Sequence, residues 1–427
     1  MFDLGRRLLL EISSRPIEVL VGICLFATAA SGGSMASVAS SSMAILFIVS
    51  LFYVKQWSEL WYALSRNEKL LLAGLSMYAF TGLISYFNSS DEYEFVKHMG
   101  RYVRFLFVVP IYLLMTRNNM QLLKYLVAGA IFSGPFNLAV ALISIAEWPE
   151  IPASGYYHWI TFGDAAMLSV VFLSAILLTG KTGAIMKAMI IISIICAFYA
   201  SILSQSRGAW LALPVCLLIL TYIMIRYGEL RNRLKIILPT LLLIVAVIGT
   251  SPIRDLIENR AQEAVQEIEL FVSGEKIDTS IGGRLAMWDI AIDVWQKHPV
   301  IGTGLGDFDL EIESRQSQGI YETIAVHGST HNIYLQALAT TGTAGFLILC
   351  FALIIQPIRV FYSKADEQLT PARLAGVIVV VAYAVFGLTE SWILRAPVVS
   401  MFLIYLVTLS TVACRAQDNG NDGVKQS

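Results

Sequence analysis

The sequence predicts an all-α polytopic membrane protein with about twelve transmembrane helices, and three observations carry that prediction. Of 427 residues, 56% are hydrophobic and 14% are charged, and the mean hydropathy is +0.68; soluble domains carry about 25% charged residues. Apolar runs alternate with short polar breaks almost to the C-terminus, each near the length that crosses about 30 Å of hydrocarbon. The runs are apolar on every face rather than striped, which points to lipid as their solvent.

The spans read at 17–33, 37–54, 70–87, 101–116, 122–146, 164–180, 184–203, 208–226, 234–250, 333–356, 372–390 and 394–413. Their alternate connections separate by charge. One set holds Arg6, Arg7, Arg15, Lys55, Arg66, Lys69, Arg117, Lys124, Lys181, Lys187, Arg226, Arg231, Arg233, Lys235, Arg359, Lys364, Arg373, Arg415 and Lys425. Cations gather on the cytoplasmic side, so both termini are expected there. Arg6, Arg7 and Arg15 before an apolar run also resemble a secretory signal, but the next run follows at once, and an uncleaved first helix is expected. The polar, Gly- and Asn-rich tail 414–427 reads as disordered and cytoplasmic. A net charge of −1 argues against nucleic acid as a partner. Cys24, Cys196, Cys216, Cys350 and Cys414 lie in or beside apolar runs without CxxC spacing, so neither a disulfide nor a zinc site is expected.

Residues 1–250 thus hold transmembrane helices 1–9 and residues 333–413 helices 10–12. Between them, 251–332 is far longer than an ordinary helix connection and faces outward, so function is expected to concentrate there. Two amphipathic helices are expected in it. The first starts at Ser251-Pro252, with Ile253, Leu256, Ile257, Val265, Ile268 and Phe271 at three- and four-residue steps. The second follows Thr279-Ser280, with an apolar stripe of Ile281, Leu285, Trp288, Ile292 and Trp295, and ends at His298-Pro299. Lying over the membrane surface, the pair would form a lid or a wall.

Outward-facing cations are the informative ones, because topology selects against them. Lys97, Arg101 and Arg104 fall on one helical face. Arg207 lies in SQSRGAW, with no Asp or Glu within four residues and with Gly208 permitting close backbone approach. Arg284 opens the second outer helix in IGGRLAMW, where a helix N-terminus and a guanidinium fork suit an oxyanion. Each could be an interfacial side chain snorkelling to water. A lipid-linked diphosphate would explain the whole set.

His331 stands where the outer loop re-enters the membrane, in GSTHNIYLQALATTGTAGF. There it is either a satisfied interfacial histidine or a group able to take a proton from an acceptor hydroxyl. Gly342 and Gly345 are spaced to let a neighbour pack closely on one helix face. His327 is near enough to pair with His331, but no third ligand has suitable spacing, so no metal site is expected. Gly302, Gly304 and Gly306 form a GxGxG run without a preceding strand, which reads as a turn rather than a nucleotide site.

Three segments in order, SQSRGAW, GGRLAMWDIAIDVWQKHPVIGTGLGDF and the motif from His331-Asn332 through Gly342 to Gly345, resemble the O-antigen ligase and Wzy polymerase superfamily of bacterial membrane glycosyltransferases. The resemblance implies a GT-C-type helical fold in the inner membrane, with a periplasmic active site formed around the 251–332 loop. It implies transfer of an O-antigen glycan from undecaprenyl diphosphate to a sugar hydroxyl of lipid A–core, inverting, and without metal or other cofactor. Arg207 and Arg284 would bind the diphosphate and His331 would activate the acceptor. Lys97, Arg101 and Arg104 are added as diphosphate ligands on charge alone. An acid often follows the eleventh span in relatives, and Glu390 in LTESW is the candidate for it here, with Asn332 and His327 as further candidates. A Wzy-type polymerase and a protein O-oligosaccharyltransferase use the same donor with other acceptors. A transporter of a lipid-linked or anionic substrate is the alternative outside enzymes, although no internal repeat is visible.

Overall fold

The computed structural model describes residues 2–31, 33–117, 121–155, 158–180, 182–227, 234, 249, 251–273, 278–321, 324, 326, 328–362 and 369–425. Every element among them is helical. The chain opens with α1 (Phe2–Ser31), α2 (Ala36–Leu51), α3 (Trp57–Ala63) and α4 (Arg66–Ile84). It continues through α5 (Glu92–Tyr102), α6 (Arg104–Thr116), α7 (Leu122–Glu147), α8 (Trp159–Thr179), α9 (Ala184–Leu203) and α10 (Arg207–Arg226). A polar insert holds α11 (Ser251–Ser273), α12 (Ser280–Lys297) and α13 (Phe308–Ser317). The chain then closes with α14 (Ile333–Cys350), α15 (Gln356–Phe361), α16 (Pro371–Phe386) and α17 (Ala396–Lys425).

Among the described residues, eight helical segments are long and apolar enough to cross a membrane, and the 69° bent pair α2–α3 makes a ninth if it is one span. The apolar part of α1 after Pro16 and all of α16 are shorter. The chain is therefore an integral membrane protein, and among the described residues eight or nine of the twelve expected spans are full-length helices. The expected span 234–250 falls outside the described residues apart from two positions. Helix α17 runs on past Cys414 to Lys425, through the segment whose composition reads as a disordered tail.

Local chemistry sets several of these boundaries. Ser65 caps α4 in a capping box: its hydroxyl accepts from Glu68 N–H, and the Glu68 carboxylate accepts from Ser65 N–H at 2.8 Å. The other Glu68 oxygen accepts from the Tyr112 hydroxyl at 2.6 Å, tying α4 to α6. Helix α8 is apolar all round because protein encloses it: 94% of its spanning window is buried, and α7, α9, α10 and α16 pack on it. Its first turn is held at one end of the bundle, where α10, α12 and α14 also begin.

The two surface helices differ from their expected faces. Thr279 caps α12 as expected, accepting from Gly282 N–H at 2.9 Å. However, its buried face is Gly282, Ala286, Met287, Ile290, Ala291 and Val294, not the stripe through Ile281 and Trp295. Small residues let α12 lie close on α14, and the two tryptophans stay half-buried because their ring N–H groups have partners: Trp288 donates to Thr330 O and Trp295 to Thr343 Oγ1, both at 2.9 Å. In α11 the expected apolar position Phe271 packs against the apolar cluster of α12 and α13, whereas Val265 and Ile268 are exposed and Arg260 and Glu267 are partly buried.

Helix α14 is broken at Gly342 (φ 67°, ψ −170°), a conformation open essentially only to glycine. The 298–306 loop docks on the break. Thr303 N–H and Gly304 N–H donate to Ala339 O and Thr340 O, and Thr343 N–H and Ala344 N–H donate to Pro299 O and Val300 O. Gly302 (φ 70°) lies against the Thr340–Thr341 backbone, so the GxGxG run is a scaffold for the helix break. Gly342 therefore does more than let a neighbouring helix approach. Gly342→Ala places a methyl group on the Val300 backbone in a forbidden conformation and is expected to destabilise the protein by about 3 kcal/mol. Thermal unfolding in detergent, with a fall of several degrees or no folded protein, checks this.

Candidate functional site

His331 sits in a turn that two chain segments stitch together. Asn332 caps α14, its Oδ1 accepting from Tyr334 N–H at 2.9 Å and Leu335 N–H at 3.2 Å. Asn332 N–H donates to Ser391 Oγ at 3.0 Å, its side-chain amide donates to Leu388 O at 3.3 Å, and Ile333 N–H donates to Gly387 O at 2.8 Å. On the other side, Thr330 N–H donates to Gln336 Oε1 at 2.9 Å. So held, His331 takes φ 50°, a left-handed conformation costly for a side chain with a Cβ. Gln205, next to the segment carrying Arg207, does the same at φ 56°. Asn332 thus positions the turn rather than facing the cleft.

The 387–391 segment also delivers Glu390. Its carboxylate is 1% exposed; Oε2 pairs with His331 Nδ1 at 3.1 Å, and Oε1 accepts from Arg395 Nε and Nη2, both at 2.9 Å. Burial raises the pKa of this acid, but the His331 hydrogen bond and the Arg395 charge outweigh it and hold the acid down at about 2. Glu390 is therefore ionised and only accepts. In the neutral ring His331 Nδ1 then carries the proton, and Nε2 keeps its lone pair.

Two adjoining clefts open here. The first is lined by Gln205, Arg207, Gly208, Arg260, Arg284 and Trp159 among others. The second is lined by His158, Thr279, Arg284, Ser329, His331 and Arg395 among others. Arg284, Trp159, Ile160 and Ser280 belong to both, so Arg284 stands in the shared wall. The first turns of α8, α10 and α12 line the first cleft, each bringing the positive end of a helix dipole to it. Burial lowers the Arg284 pKa, partly offset by the nearby Glu390 charge, yet arginine stays charged at any ordinary pH. Three arginines and three helix N-termini make this cleft suited to an anion carrying more than one charge. His158 lies in the second cleft, with its ring stacked on Trp159 at 4.3 Å, and burial with the Arg395 charge pushes its pKa down to about 4, so it is neutral near pH 7.

The structure brings Arg207, Arg284, His331 and Glu390 to one end of the bundle, from four separate segments. Arg207 is not without carboxylate partners, as its local sequence implies: Nη2 reaches Glu263 at 3.0 Å and Glu267 at 3.7 Å, both on α11. The close approach that Gly208 permits is to Thr389, beside Glu390. Lys97, Arg101 and Arg104 line neither cleft. Lys97 pairs with Glu94 at 2.7 Å, and Arg104, at the start of α6, donates to Gly100 O in α5. His327 lies outside the described residues. Arg260, Glu263, His158 and the carboxylate-clamping role of Arg395 are additions from the structure. The one advance signal for the α11 pair is that its polar positions share a face.

Comparison with known proteins places residues 192–350 in a match to the family model described as O-Antigen ligase, a stretch that holds Arg207, Arg284 and His331. The chain is also similar to an uncharacterized protein of Haemophilus influenzae, 27% identical over 344 residues that cover 77% of this chain and 82% of the relative.

Proposed function

We propose that this chain, which belongs to the O-antigen ligase and Wzy superfamily through residues 192–350, is an O-antigen ligase of the bacterial inner membrane. On this reading it is a GT-C-type, inverting, metal-independent glycosyltransferase with its site on the periplasmic face and both termini in the cytoplasm. Its donor is an O-antigen glycan on undecaprenyl diphosphate, and its acceptor is a sugar hydroxyl of lipid A–core. The observation that supports it most is the position of Arg284, in the wall between the cationic cleft and the cleft holding His331. A glycosyl diphosphate in the first cleft would present its anomeric carbon toward the second.

The reaction is then a single displacement. His331 Nε2, freed by the Nδ1 contact to Glu390, takes the acceptor proton as the hydroxyl oxygen attacks the anomeric carbon. The C–O bond to the diphosphate breaks on the opposite face, and Arg284 and Arg207 offset the charge that develops on the leaving diphosphate. Glu390 keeps the ring in its tautomer and stabilises the imidazolium once the proton has moved. Arg284→Lys keeps the charge and loses the fork, and it is expected to lower kcat/KM for the donor by about tenfold to a hundredfold. Unchanged kinetics would remove the bidentate contact.

The function itself is tested by product analysis. Purified protein in liposomes, with chelator present, receives undecaprenyl diphosphate-linked glycan and lipid A–core. Glycan on lipid A–core is the expected product. Longer glycan retained on the lipid carrier would make the protein a polymerase, and no new bond from a competent donor would reject both.

A further inference from the structure

Helix α11 turns two of its charged side chains toward the site and leaves several of its apolar ones exposed. Val265, Ile268 and Val272 are exposed, whereas Arg260 and Glu267 are partly buried against the cationic cleft. One oxygen of Glu263 is shared by two guanidinium groups, Arg207 Nη2 at 3.0 Å and Arg260 Nη1 at 2.7 Å. Arg260 also donates from Nη2 to Gln205 Oε1, at the strained residue two positions before Arg207. Arg207 Nη1 is buried and has no hydrogen-bond partner among the described residues. An oxyanion therefore already sits between two arginines of the cleft, and one of those arginines has an unused donor.

We propose that the Glu263 carboxylate holds the place of a diphosphate oxygen, that the arriving diphosphate displaces it, and that Arg260 becomes a third ligand of the bound diphosphate. This rests on the diphosphate-donor reading above and deepens it. Substituting one oxyanion for another keeps Arg207 and Arg260 paired in both states. A phosphate group offers more oxygens than the carboxylate and can also reach Arg207 Nη1. Glu267 has a different role. It accepts from Ile281 N–H at 2.6 Å and so anchors α11 to the first turn of α12, which carries Arg284. Helix α11 thereby stays attached at Glu267 while its Glu263 contact gives way.

The test measures binding rather than transfer. Farnesyl diphosphate, with farnesol as control, is titrated into the purified full chain in detergent and followed by thermal shift and by direct binding. Glu263→Gln removes the competing charge from a half-exposed position and is expected to tighten farnesyl diphosphate binding by about two- to fivefold, with farnesol unaffected. Arg260→Ala is expected to weaken binding by about fivefold, and to weaken it equally in the Glu263→Gln background. Binding unchanged or weakened by Glu263→Gln would make Glu263 a structural partner and overturn the displacement. An Arg260→Ala effect that vanishes in the Glu263→Gln background would mean that Arg260 acts only through Glu263 and is no diphosphate ligand. A protein that binds farnesyl diphosphate with these responses but transfers no glycan would refute the ligase reading and leave this one standing.

Discussion

His331→Ala is expected to lower glycan transfer by about two to four orders of magnitude while leaving the affinity for an isoprenyl diphosphate unchanged. The split follows from the two clefts. His331 lines only the one away from Arg207 and Arg260, so its loss removes the proton acceptor without touching the diphosphate side. The capping contacts of Asn332 use the backbone and its own side chain, so the turn survives without the imidazole. Single-turnover rates at saturating donor, alongside farnesyl diphosphate binding, check both halves. A variant that loses binding and rate together would mean that the ring supports the fold of the site rather than the reaction.

Glu390→Gln is expected to cost about 3–5 kcal/mol of stability and to lower the transfer rate by about a hundredfold or more. An amide can still accept from one neighbour, but it removes the carboxylate charge that Arg395 pairs with, and its NH₂ group can repel His331 Nδ1–H and turn the ring. The pH dependence carries the sign. The folded pKa of about 2 lies below the usual 4.5, so Glu390 contributes stability fully above about pH 4.5 and loses it as pH falls through about 2. The wild-type protein should therefore lose stability progressively on acidification in that window, while the Gln variant, already weaker at pH 7, should show a flatter acid limb. Thermal unfolding in detergent between pH 3 and pH 7 resolves the two slopes, and parallel slopes would place the stabilising contact elsewhere.

Many of the membrane helices, and the residues that the structure gathers around the candidate clefts, were legible in the sequence for physical reasons that do not extend to the rest. A helix in lipid needs only a long apolar run, a local property, and the same runs appear as helices from α4 to α10 and again at α14 and α17. Arg207 and Arg284 stood out as cations on the side that topology disfavours, and His331 and Glu390 through a motif and its partner acid. What was hidden depends on distance along the chain. Glu263 is 56 residues from Arg207, and nothing local to SQSRGAW announces it. The α12 stripe was misjudged because the helix packs through glycine and alanine, while its tryptophans satisfy ring N–H groups at the edge. Lys97 reads as a ligand on charge alone, and the structure shows it paired with Glu94, three residues before it on the same helix. Apolarity of α8 reads as lipid exposure from composition alone, yet protein surrounds it.

The anomeric configuration of the new bond is the most direct test of a displacement in which His331 activates the acceptor and the arginines hold the leaving diphosphate on the opposite face. Product from a donor of defined anomeric configuration is isolated from the liposome reaction and its linkage read by NMR coupling constants. Inversion is the predicted result. Retention would require a covalent glycosyl intermediate or a front-face path, and would contradict the assignment of His331 and Arg284 to opposite sides of the reacting carbon.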